Sequence, residues 1–133
     1  MKRLPSIIAV LAAGTTLAVA CGDDGPPVPG TVTVSLATPN TDDGAVAVSM
    51  SGPGITSLTP ASGTYLIYWR LVGAEQLDAL VFGNVTGGPL FSLAVADGRN
   101  PGRYSGSVTE VARRNDELRP NVTGYAVTVT AVP

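Results

Sequence analysis

Histidine is absent from this chain, cysteine occurs once, and the only lysine is at position 2. Without histidine, the commonest general base, the commonest metal ligand and the usual switch near neutral pH are all missing. A single cysteine excludes an internal disulfide, a Cys-rich zinc site and a redox pair. Charged residues make up 14% of the chain and the net charge is −2, so no basic surface is available for nucleic acid. Aromatic side chains are few as well: one Trp, four Tyr and two Phe must serve both the core and any binding surface. What is plentiful is apolar strand-forming sequence. At 133 residues and 44% hydrophobic, the chain has enough for one domain with its own core and too little for two.

Met1-Lys2-Arg3 is a short positive start, and no further charge appears until Asp23. Ile7 to Ala13 is densely apolar, and Gly14 to Ala20 is built of small and apolar residues. A positive start, an apolar centre and small residues before a cut predict a secretory signal peptide over residues 1–20, helical in its apolar centre. The uncharged span Leu4 to Ala20 is at the lower edge of bilayer-spanning length and contains Pro5 and Gly14, which disfavours a transmembrane helix.

Ala18-Val19-Ala20-Cys21 resembles the lipobox of bacterial lipoproteins, with Ala18 standing where that family most often has Leu. The resemblance covers the first 21 residues and implies lipidation of Cys21. Two or three palmitate-type acyl chains at a mature N-terminal cysteine hold a protein to a membrane, whereas one chain binds only reversibly. The implied location is the bacterial cell envelope. Gly22, not Asp, follows the cysteine, so the outer membrane is favoured over the inner in a cell that has two. Removing residues 1–20 takes Lys2 and Arg3 and no acid, leaving six arginines against ten acids and a net charge of −4. No polybasic patch remains for anionic lipid, so the lipid itself is the expected membrane partner.

Residues 21–30 (CGDDGPPVPG) form a Gly/Pro-rich tether, semi-rigid and extended by about 3.1 Å per residue. From Thr31 the hydrophobic period becomes two, opening a β domain over 31–133. Val32, Val34 and Leu36 alternate with hydroxyls, and Val46, Val48 and Met50 resume the pattern after the Thr38–Gly44 turn formers. These two segments are expected to be neighbouring antiparallel strands. Ser51 to Gly63 is a long connection with Ile55 and Leu58 tucked under it. Thr64 to Val72 (TYLIYWRLV) is apolar on both faces, as a central strand would be. Segments 76–82, 89–96, 103–111 and 124–132 complete about seven strands, although 74–80 also has helical propensity. The class is all-β, a single antiparallel sandwich. In strand count, size and the Trp69 of its middle strand the domain resembles immunoglobulin-like sandwiches, without their cysteine pair. It is also similar to small uncharacterised envelope lipoproteins in Val32–Leu36, Asn40–Gly44 and Ser51–Pro53, a likeness that implies no activity.

Candidate chemistry is sparse. No Ser or Thr has a His or Lys to activate it, and the Gly-x-Ser-x-Gly elbow is missing. The carboxylates Asp78, Asp97, Glu110, Asp116 and Glu117 have no spacing that selects a catalytic pair. Asn40, Asp42 and Asp43 are candidate oxygen ligands for Ca²⁺, short of the six to eight such an ion needs, and read otherwise as a hairpin turn. Tyr68 and Trp69 are candidate stacking groups for a sugar or peptide, although a ring in a strand apolar on both faces is expected inside the core. Arg113, Arg114 and Arg119 are expected to pair with Asp116 and Glu117 in one solvated loop. The expected function is a lipid-anchored, noncatalytic envelope module, for binding or structure, with no cofactor. Its partners would be an envelope protein or a glycan, and the alternative is a carbohydrate-binding or adhesion module on the cell surface.

Overall fold

The computed structural model describes residues 26–132, so the signal segment and Cys21 lie outside the described residues. Eight strands follow in order: β1 (Gly30–Ala37), β2 (Asp43–Ser51), β3 (Ser57–Pro60), β4 (Leu66–Gly73), β5 (Gln76–Val85), β6 (Gly88–Val95), β7 (Ser105–Arg113) and β8 (Ala126–Ala131). The one helical element among the described residues is a 3₁₀ turn at Pro101–Arg103.

Two four-stranded antiparallel sheets pack face to face, ordered β3-β6-β1-β8 and β4-β5-β2-β7. The all-β sandwich expected from the period-two pattern is present, with eight strands in place of about seven. The additional strand is β3, which falls within the Ser51–Gly63 connection and buries Leu58 beside Ile55. The segment with helical propensity is strand from Gln76, because Leu77, Ala79 and Val81 alternate into the core. Within the sheets, β1 pairs with β8, β2 with β7, β3 with β6 and β4 with β5. These couples nest inside one another like a single long hairpin that has been rolled up.

Two expectations about neighbours need correction. β1 and β2 are in opposite sheets, so the 38–42 segment crosses the sandwich and is no hairpin. Each strand is apolar on one face, and placing them in facing sheets buries both faces against each other. The segment around Trp69 is an edge strand, β4, and not a central one. A run apolar on both faces fits a strand buried on both sides, but here much of that apolar surface remains in solvent.

The core lies between the sheets. Val32, Val34, Val46, Met50, Leu77, Leu90, Phe91 and Leu93 are all fully buried. Ile67, Tyr125, Val127 and Val129 pack around its margin. At one end Tyr104 is buried, with its hydroxyl donating to Pro53 O at 2.7 Å and accepting from Asp97 N at 3.1 Å. Gly52, at φ +149°, lies under that ring, and a Cβ there would overlap it. The end of the tether is pinned nearby: Gly98 N donates to Val28 O at 2.8 Å and Arg99 Nη2 to Pro26 O at 3.3 Å.

Candidate functional site

The pairing of β4 with β5 fixes which way each β4 residue points. Ile67, Trp69 and Leu71 stand opposite Val81, Ala79 and Leu77, which are buried. Directly paired residues share a face, so these three point toward the facing sheet. Leu66, Tyr68 and Arg70 stand opposite Phe82, Leu80 and Asp78 and therefore point outward. The strand lying across from β4 is β3, four residues long against the eight of β4, so it gives only limited cover. Trp69 is consequently 39% exposed and Leu71 47%, although both point inward. The expected place of Trp69 in the core is thus corrected: it points toward the facing sheet but stays 39% exposed.

On the outer face Leu66, Tyr68 and Leu80 are also exposed, and Tyr68 reaches 60%. Tyr68 meets Phe82 edge to face, with centroids 6.0 Å apart and planes at 76°. Beside Tyr68 is an open depression of about 620 Å³ running over β4, β5 and β2. Its floor is small, with Ala47 and Ser49, and its margin carries Tyr68, Arg70, Asp78 and Leu80. Gln76 Nε2 donates to Ser49 Oγ at 3.1 Å at one end. The two aromatic candidates from the sequence, Tyr68 and Trp69, therefore both border solvent, on opposite faces of one edge strand.

Asp42 and Asp43 converge on an arginine, and Asn40 joins the same cluster through Tyr125. Arg119 donates from Nε to Asp43 Oδ1 at 3.0 Å and from Nη2 to the same oxygen at 2.7 Å. Nη2 also reaches Asp42 Oδ1 at 2.5 Å. Tyr125 Oη donates to Asp43 Oδ1 at 2.7 Å, Thr38 Oγ1 to Asp43 Oδ2 at 2.6 Å, and Asn40 Nδ2 to Tyr125 Oη at 2.9 Å. Asp43 is fully buried, and the donors from Arg119, Tyr125 and Thr38 occupy both of its oxygens, which calcium would need. Burial pushes the Asp43 carboxyl up, but the hydrogen bonds from Thr38, Tyr125 and Arg119 together outweigh it and hold the group below the usual carboxylate range. The bond from Arg119 also lowers Asp42, and the two carboxylates raise Arg119. The arrangement ties the β1–β2 crossing to the start of β8 and commits both Asp43 oxygens to protein donors.

The expected self-paired loop is likewise redistributed. Arg119 pairs with Asp42 and Asp43, not with Asp116 or Glu117. Arg114 Nη2 donates to Thr41 O at 2.6 Å and to Asn84 Oδ1, while Asn115 Nδ2 serves Glu117 at 2.6 Å. Sequence reasoning missed Arg119 and Tyr125, which are 76 and 82 positions from Asp43, and read Thr38, five positions away, only as part of a turn. A turn segment rich in acids with one buried member is a signal for such a cation, though not for which one.

The remaining carboxylates are dispersed. Asp78 is on the outer face of β5, Glu110 on β7, and Asp116 and Glu117 in the loop after β7. Asp97 is buried after β6, where Asn100 Nδ2 at 2.8 Å and Arg103 Nη1 at 3.3 Å reach Oδ2. The bond from Asn100, against the effect of burial, and that from Arg103 hold Asp97 below the ordinary range. Among the described residues no three Cys, Asp or Glu side chains gather as a metal site.

The fold defines the chain as an antiparallel two-sheet β-sandwich with an uncovered apolar edge. Comparison with protein-family models, with curated proteins and with solved structures finds no match.

Proposed function

We propose that the chain is a lipid-anchored, noncatalytic module of the bacterial cell envelope, and that it binds through the β4 edge and the depression beside it. The anchor rests on the lipobox-like Ala18-Val19-Ala20-Cys21 and the positive, apolar segment before it. The observation that carries the binding role is the exposure of Leu66, Tyr68, Trp69, Leu71 and Val72 along a single strand. Contiguous apolar surface of this kind marks interaction sites in soluble domains. The noncatalytic reading rests on the missing histidine and on the dispersal of the carboxylates. With Gly22 after the cysteine, the outer membrane is the favoured residence where a cell has two.

Metabolic labelling with a fatty-acid analogue tests the anchor. Wild-type chain should take the label and Cys21→Ser should not; no label on either overturns this reading.

A glycan is the second reading, favoured by one observation. The depression sets the Tyr68 ring beside Arg70, Gln76 and Asp78, an aromatic face with hydrogen-bonding groups at its rim. A glycan array should then show binding that Tyr68→Ala abolishes, and binding indifferent to Tyr68 removes this alternative.

A further inference from the structure

The four edge strands are unequally protected. β3 is four residues long and ends in Pro60, which has no N–H to donate. β7 carries two register irregularities and Glu110, and its free side is occupied by the following loop. There Leu118 bridges to Ala112, and Arg119 N donates to Val111 O at 2.8 Å. β8 has six residues and presents Thr128 and Thr130. β4 has eight residues, no proline, an irregularity only at its end, and one charge, Arg70. An apolar edge with unpaired backbone groups is a template for another strand.

We infer that β4 is the contact through which two copies of this chain associate, pairing edge to edge into one continuous sheet. The occupant follows from the strand's own pattern. Two identical strands pair antiparallel about a two-fold axis perpendicular to the sheet, and this keeps outward residues with outward and inward with inward. The permitted registers therefore centre on a residue facing its own copy. Centring on Arg70 sets two guanidinium groups opposite each other, which is repulsive. Centring on Tyr68 leaves the end of the strand unpaired.

Centring on Trp69 uses the strand from Leu66 to Val72. Each Arg70 then lies opposite the other copy's Tyr68, a cation against an aromatic face, twice by symmetry. Leu66 meets Val72 at the two ends of the paired run, and Ile67 meets Leu71 beside the two Trp69 rings on the inner face. The exposed apolar residues of β4 are all covered by this one register, and its only charge gains a complementary partner.

This inference goes beyond the binding reading by naming the partner, and it does not depend on the lipid. Thiol crosslinking of the purified full chain in solution tests it, in a Cys21→Ser background where the introduced thiol is the only one. Trp69→Cys should crosslink to itself, since directly opposed strand residues fall within disulfide reach. Leu66→Cys and Val72→Cys should crosslink when co-expressed and not singly. Against Trp69→Cys, a second change distinguishes register from mere stickiness. Tyr68→Glu should keep the crosslink, because the new carboxylate faces Arg70; Tyr68→Lys should reduce it roughly tenfold.

No crosslink at position 69 overturns the inference. So does equal crosslinking of Thr128→Cys on β8, which would be random collision, or equal loss with either change at Tyr68, which would mean another occupant. Fatty-acid labelling of the Cys21-containing chain is read alongside. Label without crosslink removes only the β4 pairing, and crosslink without label removes only the anchor.

Discussion

Arg119 and Asp43 are 76 positions apart and meet at 2.7 Å, the guanidinium 8% exposed and the carboxylate fully buried. A buried carboxylate with several charged and hydroxyl donors is tolerated because each lone pair it would lose to solvent is replaced. The pair links the loop after β7 to the first residue of β2, and Tyr125 brings in the approach to β8.

Breaking this cluster from the acid side strands its donors inside the protein. Asp43→Ala is expected to lower the free energy of unfolding by about 3 kcal/mol, as for other buried pairs that lose one member. Urea denaturation of wild type and variant measures it. A change within about 0.5 kcal/mol would show that the cluster contributes no more than a surface pair.

Acid should act through the same groups. Asp43, Asp42 and Asp97 all have folded-state values below the ordinary carboxylate range. Their contribution is therefore present above the unfolded value of about 4 and is lost as pH falls through the lower folded values. Stability is expected to be nearly flat above about pH 5 and to drop steeply below about pH 4. In Asp43→Asn the acid slope should be shallower; an unchanged slope in thermal melts across pH would reject this assignment.

Gly52→Ala joins two penalties at one site. The backbone is at φ +149°, where a side chain is strained, and the added methyl overlaps the buried Tyr104 ring. A loss of about 2–4 kcal/mol is expected, with Tyr104 displaced from its bonds to Pro53 and Asp97. Tyr104→Phe, which keeps the ring and removes only those bonds, should cost about 1–2 kcal/mol. Chemical denaturation of the two variants gives the ordering, and a larger cost for Tyr104→Phe would contradict it.

Trp69 and Phe91 make a comparison of edge and core. Phe91 is fully buried, and Phe91→Ala should cost about 4 kcal/mol in transfer and cavity. Trp69→Ala removes a larger ring but one already bordering water, so less than about 2 kcal/mol is expected. Equal losses in equilibrium unfolding would place Trp69 in the core after all.

The period-two pattern was legible because a strand buried on one side records its own orientation. Val32-Val34-Leu36 and Val46-Val48-Met50 point inward as the alternation says. Their assignment to different sheets was not legible, since alternation tells which face is buried and not which strand lies alongside. β3 escaped notice because four residues ending in proline leave too short a pattern. The exposure of Trp69 was hidden for a related reason: it depends on where the facing sheet stops, and no residue in β4 encodes that. The Asp43 cluster spans β1, β2, the loop after β7 and β8, and only the fold brings those distant segments together. The tether's end is pinned to the Gly98 loop by backbone groups, which composition does not report.

The nested couples also set an order in time. Of the four couples only β4 and β5 are consecutive in sequence, so the innermost couple closes a small loop while β1 and β8 must close nearly the whole domain. Contacts so far apart in sequence fold slowly. A chain emerging from its N-terminus presents β1 first and β8 last, so the outermost couple cannot form until residue 131 is free. β1 can pair with β6 as soon as residue 95 is free, but its other edge waits for β8, so the β1–β8 seam is the last part of that sheet to form.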